Sequence, residues 1–146
     1  MRQKAAVIFN IVYGWAGAAV SDEGILRITL PVRGRKTVER ELRRSGLTIP
    51  ATLPLAGRVH DKEPAVLFKT IKLLRKFFAG EPVSFDLPLD LRYYTAFQRA
   101  VWKATASIPY GETRSYAWIA KQIGQPKAAR AVGQALGANP VPILIP

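Results

Sequence analysis

Residues 97–146 read FQRAVWKATASIPYGETRSYAWIAKQIGQPKAARAVGQALGANPVPILIP, and this stretch decides the class of fold. Its first part predicts a helix, because apolar residues recur there at helical spacing: Phe97, Val101, Ala104 and Ile108. Pro109 and Gly111 end that helix. Ser115 is a suitable N-cap for a second, short helix over 116–123.

A third helix is predicted over 127–136, after the break Gly124-Gln125-Pro126. Gly137 and the pair Asn139-Pro140 close it. Two short helices joined by a tight turn that contains glycine have the outline of a helix-turn-helix. The end of the chain therefore predicts a helical domain with this motif.

The two sides of the third helix differ in chemistry. One side should pack against the preceding helices, and it carries Ala128, Val132, Ala135 and Leu136. The opposite side carries Lys127, Arg130 and Gln134 among the small residues Ala131, Gly133 and Gly137. Glycine within a helix costs about 1 kcal/mol relative to alanine, so Gly133 needs a reason, and close backbone approach to a partner is one. Composition leaves two interpretations open, a nucleic-acid surface or an ordinary helix with a basic exposed side.

The first 30 residues predict an antiparallel meander. β-branched and aromatic residues over 7–13 and 15–20 predict two strands, and a third over 25–30 ends at Pro31. The segment 21–24, Ser-Asp-Glu-Gly, is a turn signal between them.

A basic segment follows over 33–45, where we expect a short helix that Thr37 can cap. Glu39 and Arg43 form a favourable i,i+4 pair, while Val38 and Leu42 face inward. The segment is interpreted as a solvated helix in preference to a phosphate-contacting patch or a localisation signal.

The next segment, 47–63, is predicted to be a loop, and His60 in it is an incidental histidine rather than a metal ligand. A second helix is predicted from Pro64, with an apolar stripe at Leu67, Ile71, Leu74 and Phe78, and Gly80 ends it. An extended connector follows over 81–91. We therefore predict an α+β protein with two domains, 1–85 and 86–146.

Composition excludes several kinds of site. The chain has 146 residues, no cysteine, one histidine and a formal net charge of +12. Thiolate nucleophiles and thiolate metal sites are excluded within it, and a polyanion is the expected partner. Residues 5–20 are too interrupted for a spanning helix, so we expect an intracellular chain that does not bind membranes.

Three motifs together resemble the O6-alkylguanine-DNA alkyltransferases, also called methylated-DNA–protein-cysteine methyltransferases. They are 108–113 (IPYGET), 128–133 (AARAVG) and 139–142 (NPVP), and the connector 85–91 (FDLPLDL) is similar too. The first 80 residues match more loosely. The resemblance implies a ribonuclease-H-like N-terminal domain with a small antiparallel sheet, and a C-terminal helical domain whose helix-turn-helix lies in the DNA minor groove.

The resemblance also implies a role for each matching residue. Arg130 would be the finger that fills the gap left by a flipped guanine, and Tyr116 would crowd the 3′ phosphate. Ser115 and Lys127 would contact backbone phosphates. Asn139 would tie the recognition helix to the active-site strand. The small residues Ala129, Ala131 and Gly133 would suit a groove only about 6 Å wide.

One departure from the family pattern concerns the alkyl acceptor. In the family, Ile-Pro is followed by Cys-His-Arg, whereas here Ile145-Pro146 are the last residues. We therefore expect the acceptor cysteine immediately after Pro146, no catalytic residue within the chain and no activity of the chain alone. The resemblance further implies double-stranded DNA with O6-alkylguanine as the partner, no cofactor, no metal, a monomer, and a cytoplasmic location, or a nuclear one in a eukaryote.

Two other functions are alternatives to repair by single-turnover alkyl transfer. A non-enzymatic alkyltransferase-like protein would bind the lesion with another residue at the acceptor position. A helix-turn-helix transcription factor fits the charge but has no need of the segment 139–146.

Overall fold

Three antiparallel strands open the chain in the computed structural model, which describes residues 5–46 and 64–146. They are β1 (Ala5–Ile11), β2 (Gly14–Val20) and β3 (Ile25–Ile28), in the order β1-β2-β3, which confirms the predicted meander. β3 ends two residues earlier than expected. At that point the Thr29 hydroxyl oxygen, rather than a carbonyl, accepts the hydrogen bond from the Gly17 amide at 2.8 Å.

Two helices, α1 (Arg35–Arg44) and α2 (Ala65–Phe78), cover the sheet. Val38 and Leu42 of α1 are buried in a cluster with Ala6, Ile8, Ala19 and Leu26. Gly17 allows this close approach, because a Cβ there would lie 2.8 Å from side-chain carbons of both Val38 and Leu42. α2 packs against β1 and β2 and buries Leu67, Ile71 and Leu74 of its predicted stripe, while Phe78 is half-buried.

The cap predicted for α1 is wrong. Gly34, which is extended (φ −109°, ψ 122°), is the N-cap, and no side chain caps the helix. Thr37 lies inside the first turn, where its amide donates to the Gly34 carbonyl at 3.0 Å. The pair of Glu39 and Arg43 is confirmed, with 2.9 Å between Oε1 and Nη2. The loop 47–63, with His60, lies outside the described residues.

The connector begins after Gly80 (φ +83°) ends α2, and residues 81–88 form neither a helix nor a strand. Its last residues join the sheet, because the Ile25 amide donates to the Pro88 carbonyl and the Asp90 amide donates to the Ile25 carbonyl, both at 2.8 Å. The Ser21 hydroxyl also donates to Asp90 Oδ2 at 2.6 Å, and both side chains are buried. The chain divides into two compact units, Met1–Asp90 and Leu91–Pro146.

The second unit contains α3 (Ala96–Ala106), α4 (Tyr116–Gln122) and α5 (Ala129–Gly137). A reciprocal capping box of Thr95 and Gln98 starts α3. The buried residues of α3 are Val101, Trp102 and Thr105, so the predicted stripe is displaced. Trp102 decides this face, because its indole N–H donates to the Ala135 carbonyl of α5 at 2.8 Å.

α5 begins at Ala129, two residues later than predicted. The Ala128 amide donates to the Gln125 carbonyl at 2.9 Å, so Lys127 lies in the preceding turn rather than in the helix. No helix in residues 5–46 or 64–146 combines the length and the apolar character that crossing a bilayer requires.

Candidate nucleic-acid interface

α4 and α5 pack together as a helix-turn-helix. Ser115 is the predicted N-cap of α4, and its hydroxyl accepts from the Trp118 amide at 3.1 Å. The turn follows at Gly124 (φ +74°), after which the Gln125 amide donates back to the Ala120 carbonyl at 2.9 Å. Each helix contributes buried apolar residues to this packing, Ile119 from α4 and Val132 from α5.

The solvent-facing side of the helix-turn-helix carries positive charge and several small residues. Lys127, Arg130 and Gln134 are all exposed, as the helical spacing predicted. Ala131 is exposed between them, while Ala129 and Gly133 are half-buried. Long side chains that can reach a phosphate thus alternate with residues too small to keep a partner away from the α5 backbone.

Gly133 has a neighbour within the chain that the sequence did not reveal. A Cβ at this position would lie 3.0 Å from Cε2 and 3.2 Å from Cδ2 of the Tyr116 ring. Tyr116 is the first residue of α4, and 54% of its surface is exposed. The absence of a side chain at Gly133 therefore lets the aromatic ring of α4 lie directly on α5, with much of that ring open to solvent.

Asn139 joins the end of α5 to the last residues of the chain. Its Nδ2 donates to the Ile145 carbonyl at 2.8 Å, and its Oδ1 accepts from the Val141 amide at 2.9 Å. The Ile145 amide in turn donates to the Val141 carbonyl at 3.1 Å. Between them Ile143 has a positive φ of 78°, which is costly for a β-branched residue, so these bonds hold a strained turn.

The charged residues of this unit are almost all positive. Residues 91–146 contain seven Lys and Arg and one acid, Glu112. Glu112 is occupied, because its carboxylate pairs with Arg114, whose guanidinium also lies 5.4 Å from the centre of the Trp118 ring. An unbalanced positive field therefore surrounds the motif, which favours a polyanion.

Sequence reasoning missed four side chains of this unit. Trp102 joins α3 to α5 through its indole N–H. Tyr110 is fully exposed in the turn before α4. Arg114 stacks on Trp118. The partner of Trp102 lies 33 positions away, so no local spacing identifies that contact, whereas Arg114 and Trp118 are only four positions apart.

Residues 96–146 match the family model described as 6-O-methylguanine DNA methyltransferase, DNA binding domain. A methylated-DNA–protein-cysteine methyltransferase of Mycobacterium bovis is 55% identical over 91 residues, which are 62% of this chain and 54% of that protein. The chain thus spans about half the length of the curated relatives that it matches.

The chain is also similar, over nearly its whole length, to solved structures of O6-methylguanine methyltransferases. The crystal structure of O6-methylguanine methyltransferase from Mycobacterium tuberculosis is 36% identical, with a TM-score of 0.68, and the match covers 97% of this chain and 75% of that one. A structure of M. tuberculosis OGT in complex with DNA is 35% identical, with the same TM-score, and the match covers 97% of this chain and 74% of that one.

Proposed function

The chain belongs to the O6-methylguanine DNA methyltransferase family, and on that premise we propose that it binds double-stranded DNA through α4 and α5 and recognises O6-alkylguanine. The observation that carries the proposal is the outer side of α5, where Arg130 projects among small residues and Gly133 seats the Tyr116 ring. The M. tuberculosis relative in complex with DNA supports the choice of partner.

Arg130 and Tyr116 act on the damaged nucleotide in this proposal. Arg130, in the first turn of α5, enters the stack in place of the flipped guanine, where its charged, planar group can remain solvated at one edge and stacked on its faces. The half-exposed Tyr116 ring presses on the 3′ phosphate, and Gly133 sets the depth at which that ring lies.

Phosphate contacts fix the position of the motif on the duplex. Lys127, exposed in the turn before α5, supplies a charge, and Ser115 at the start of α4 supplies a hydroxyl. The small side chains of Ala129 and Ala131, with Gly133, allow α5 to approach a groove about 6 Å wide.

The reaction proposed for the whole protein is direct transfer of the alkyl group to a cysteine. The thiolate sulfur bonds to the alkyl carbon, the bond from that carbon to O6 breaks, and the guanine keeps the electron pair and regains a proton on its ring. No cofactor is used and each acceptor reacts once. Asn139 would be a positioning residue, because it orders the segment that leads to the acceptor position after Pro146.

The alternative is a lesion-binding protein without transfer activity. Such a protein would carry another residue at the acceptor position. Intact mass of the complete gene product, after incubation with an O6-methylguanine duplex, separates the two functions. One added methyl per molecule supports transfer, and unchanged mass with retained lesion binding supports the alternative. Both act as a monomer beside the chromosome, in the cytoplasm of a prokaryote or in a nucleus.

Arg130→Ala tests the recognition step, and Arg99→Ala is the matched control because Arg99 is an exposed arginine of the same unit. We expect Arg130→Ala to reduce the preference for an O6-methylguanine duplex over a guanine duplex about tenfold or more, the scale of 1–3 kcal/mol for one recognition contact. Arg99→Ala should leave that preference unchanged. Titration of both labelled duplexes by fluorescence anisotropy measures it, and equal losses on both duplexes would contradict the role of Arg130.

A further inference from the structure

The N-terminal unit carries half of the net charge of the chain. Residues 1–90 contain 15 Lys and Arg against 9 Asp and Glu, an excess of 6, and residues 91–146 contribute the other 6 of the +12. The helix-turn-helix lies entirely in the second unit. The positive charge of the first unit therefore lies outside the helix-turn-helix.

Part of that charge lies on the outer face of α1. Lys36, Arg40 and Arg44 follow one another at i, i+4 and i+8, and all three are exposed. Val38 and Leu42 lie on the opposite side of the helix and are buried. The three cations therefore form one row, which we call the α1 cationic row.

The acids of α1 do not neutralise this row. Glu39 pairs with Arg43 at 2.9 Å, and Glu41 lies 3.9 Å from Arg27 of β3. Within residues 5–46 and 64–146, no carboxylate lies within 4.0 Å of the ammonium or guanidinium nitrogens of the α1 cationic row. The row thus offers charge that is not already paired in the described part of the chain.

Helix stability explains Arg44, which lies in the last turn of α1 where the helix dipole favours a cation, but it does not explain Lys36. The first turn of α1 contains Arg35 and Lys36 and no acid, although the positive end of the helix dipole favours acidic residues there. Each such cation costs about 0.3–1 kcal/mol at an exposed helix N-terminus. A compensating function outside the helix accounts for a basic residue at Lys36 better than the fold does.

The row is long enough to reach several phosphates of one DNA strand. Residues four apart rise about 6 Å along a helix, so Lys36 and Arg44 stand about 12 Å apart. One DNA strand carries a charge about every 3.4 Å of axial rise, so three or four phosphates fall within that length. Two of the three side chains are arginines, whose planar fork binds phosphate oxygens in pairs.

We propose that the α1 cationic row is a second DNA-contacting surface, which binds the phosphates of a duplex without reading the base sequence. This inference rests on the proposed function only for the choice of DNA as the polyanion. It predicts affinity from α1 and lesion preference from α4 and α5, and these two quantities are measured separately.

The test replaces the three cations together, as Lys36→Gln, Arg40→Gln and Arg44→Gln, in the full 146-residue chain. The matched control is Lys69→Gln, Lys72→Gln and Lys76→Gln on the exposed side of α2, which removes the same charge from the same unit. Circular dichroism of both variants checks that the helices are retained, and Arg40→Gln alone gives a milder change.

Binding of an undamaged duplex is measured across a range of salt concentrations. The plot of log affinity against log salt has a negative slope, and we expect the magnitude of this slope to decrease by about 2.7 in the α1 variant, because three phosphate contacts at about 0.9 each are lost. In the α2 variant the magnitude should decrease by less than about 0.9. Arg40→Gln should account for about 0.9 of that change. Equal slopes for the two triple variants, or no change in the α1 variant, would overturn the inference.

Two further measurements distinguish this proposal from the proposed function of α4 and α5 and from binding of an acidic protein. The ratio of affinities for O6-methylguanine and guanine duplexes should be the same in the α1 variant and the parent. A parent chain with no lesion preference but with the α1 slope change would refute the proposed function and keep the inference. Binding of polyglutamate with an affinity that depends on the α1 cationic row, together with an unchanged DNA slope, would assign the row to an acidic protein and overturn it.

Discussion

Replacing Gly133 with alanine separates the intrinsic helix preference of α5 from its contact with Tyr116. Without a neighbour, the change would stabilise the helix by about 1 kcal/mol. The new Cβ would meet the Tyr116 ring at 3.0 Å and 3.2 Å, closer than an ordinary van der Waals contact, so the ring must move by a few tenths of an ångström. We expect this shift to cancel most of the gain.

Gly137 provides the matched control, because it is in the same helix and a Cβ there would have no neighbour within 4 Å. Gly137→Ala should stabilise the protein by up to about 1 kcal/mol. The assay is urea unfolding followed by tryptophan fluorescence, since Trp102 and Trp118 both lie in this unit. Gly133→Ala should leave the free energy of unfolding within about 0.5 kcal/mol of the parent.

A double-mutant cycle assigns the difference to the ring. In the Tyr116→Ala background, Gly133→Ala should recover its helix preference, which gives a coupling energy of about 0.5–1 kcal/mol. Gly133→Ala should also reduce the preference for the O6-methylguanine duplex, because Tyr116 is displaced, while Gly137→Ala should not. A coupling energy near zero, or equal stabilisation by the two alanines, would refute the proposed seating of Tyr116 on Gly133.

Two further substitutions test how the motif and its C-terminal segment are held. Ser115→Ala removes the acceptor for the Trp118 amide and should destabilise α4 by about 1 kcal/mol, seen as faster amide exchange in that helix, whereas Ser115→Thr should retain most of the protection. Asn139→Ala removes bonds to Val141 and Ile145 and should lower the free energy of unfolding by about 1–3 kcal/mol. Asn139→Asp keeps the acceptor for the Val141 amide but places a carboxylate oxygen against the Ile145 carbonyl, so it should destabilise the protein at least as much as alanine does. A stability equal to that of the parent would contradict the role of the bond to Ile145.

The elements that local chemistry specifies were predictable from the sequence. Ser115 caps α4 because its hydroxyl reaches an amide three residues on, and Glu39 meets Arg43 one helical turn away. The meander followed from alternating strands and a turn signal. Thr37 shows the limit of this reasoning, because Gly34 with its extended backbone starts α1 without a side-chain cap.

The family motifs identified which residues to examine, but not how they are arranged. The exposure of Lys127, Arg130 and Gln134 agrees with helical spacing, although Lys127 belongs to the turn rather than to α5. Their proposed contacts with DNA depend on a partner, so neither spacing nor the fold of the chain alone measures them.

By itself, the sequence determined the chemical character of this protein: a basic chain without cysteine, a short meander, and a helix-turn-helix with one cationic side. Three features became visible only in the tertiary structure: the contact of the Tyr116 ring with Gly133, the face of α3 that is buried, and the hydrogen bonds by which Asn139 holds the last residues. The physical reason is the distance along the chain between the residues that interact. Caps, turns and ion pairs one helical turn apart act between near neighbours in the chain, whereas the Tyr116 ring and the Trp102 indole meet partners 17 and 33 positions away.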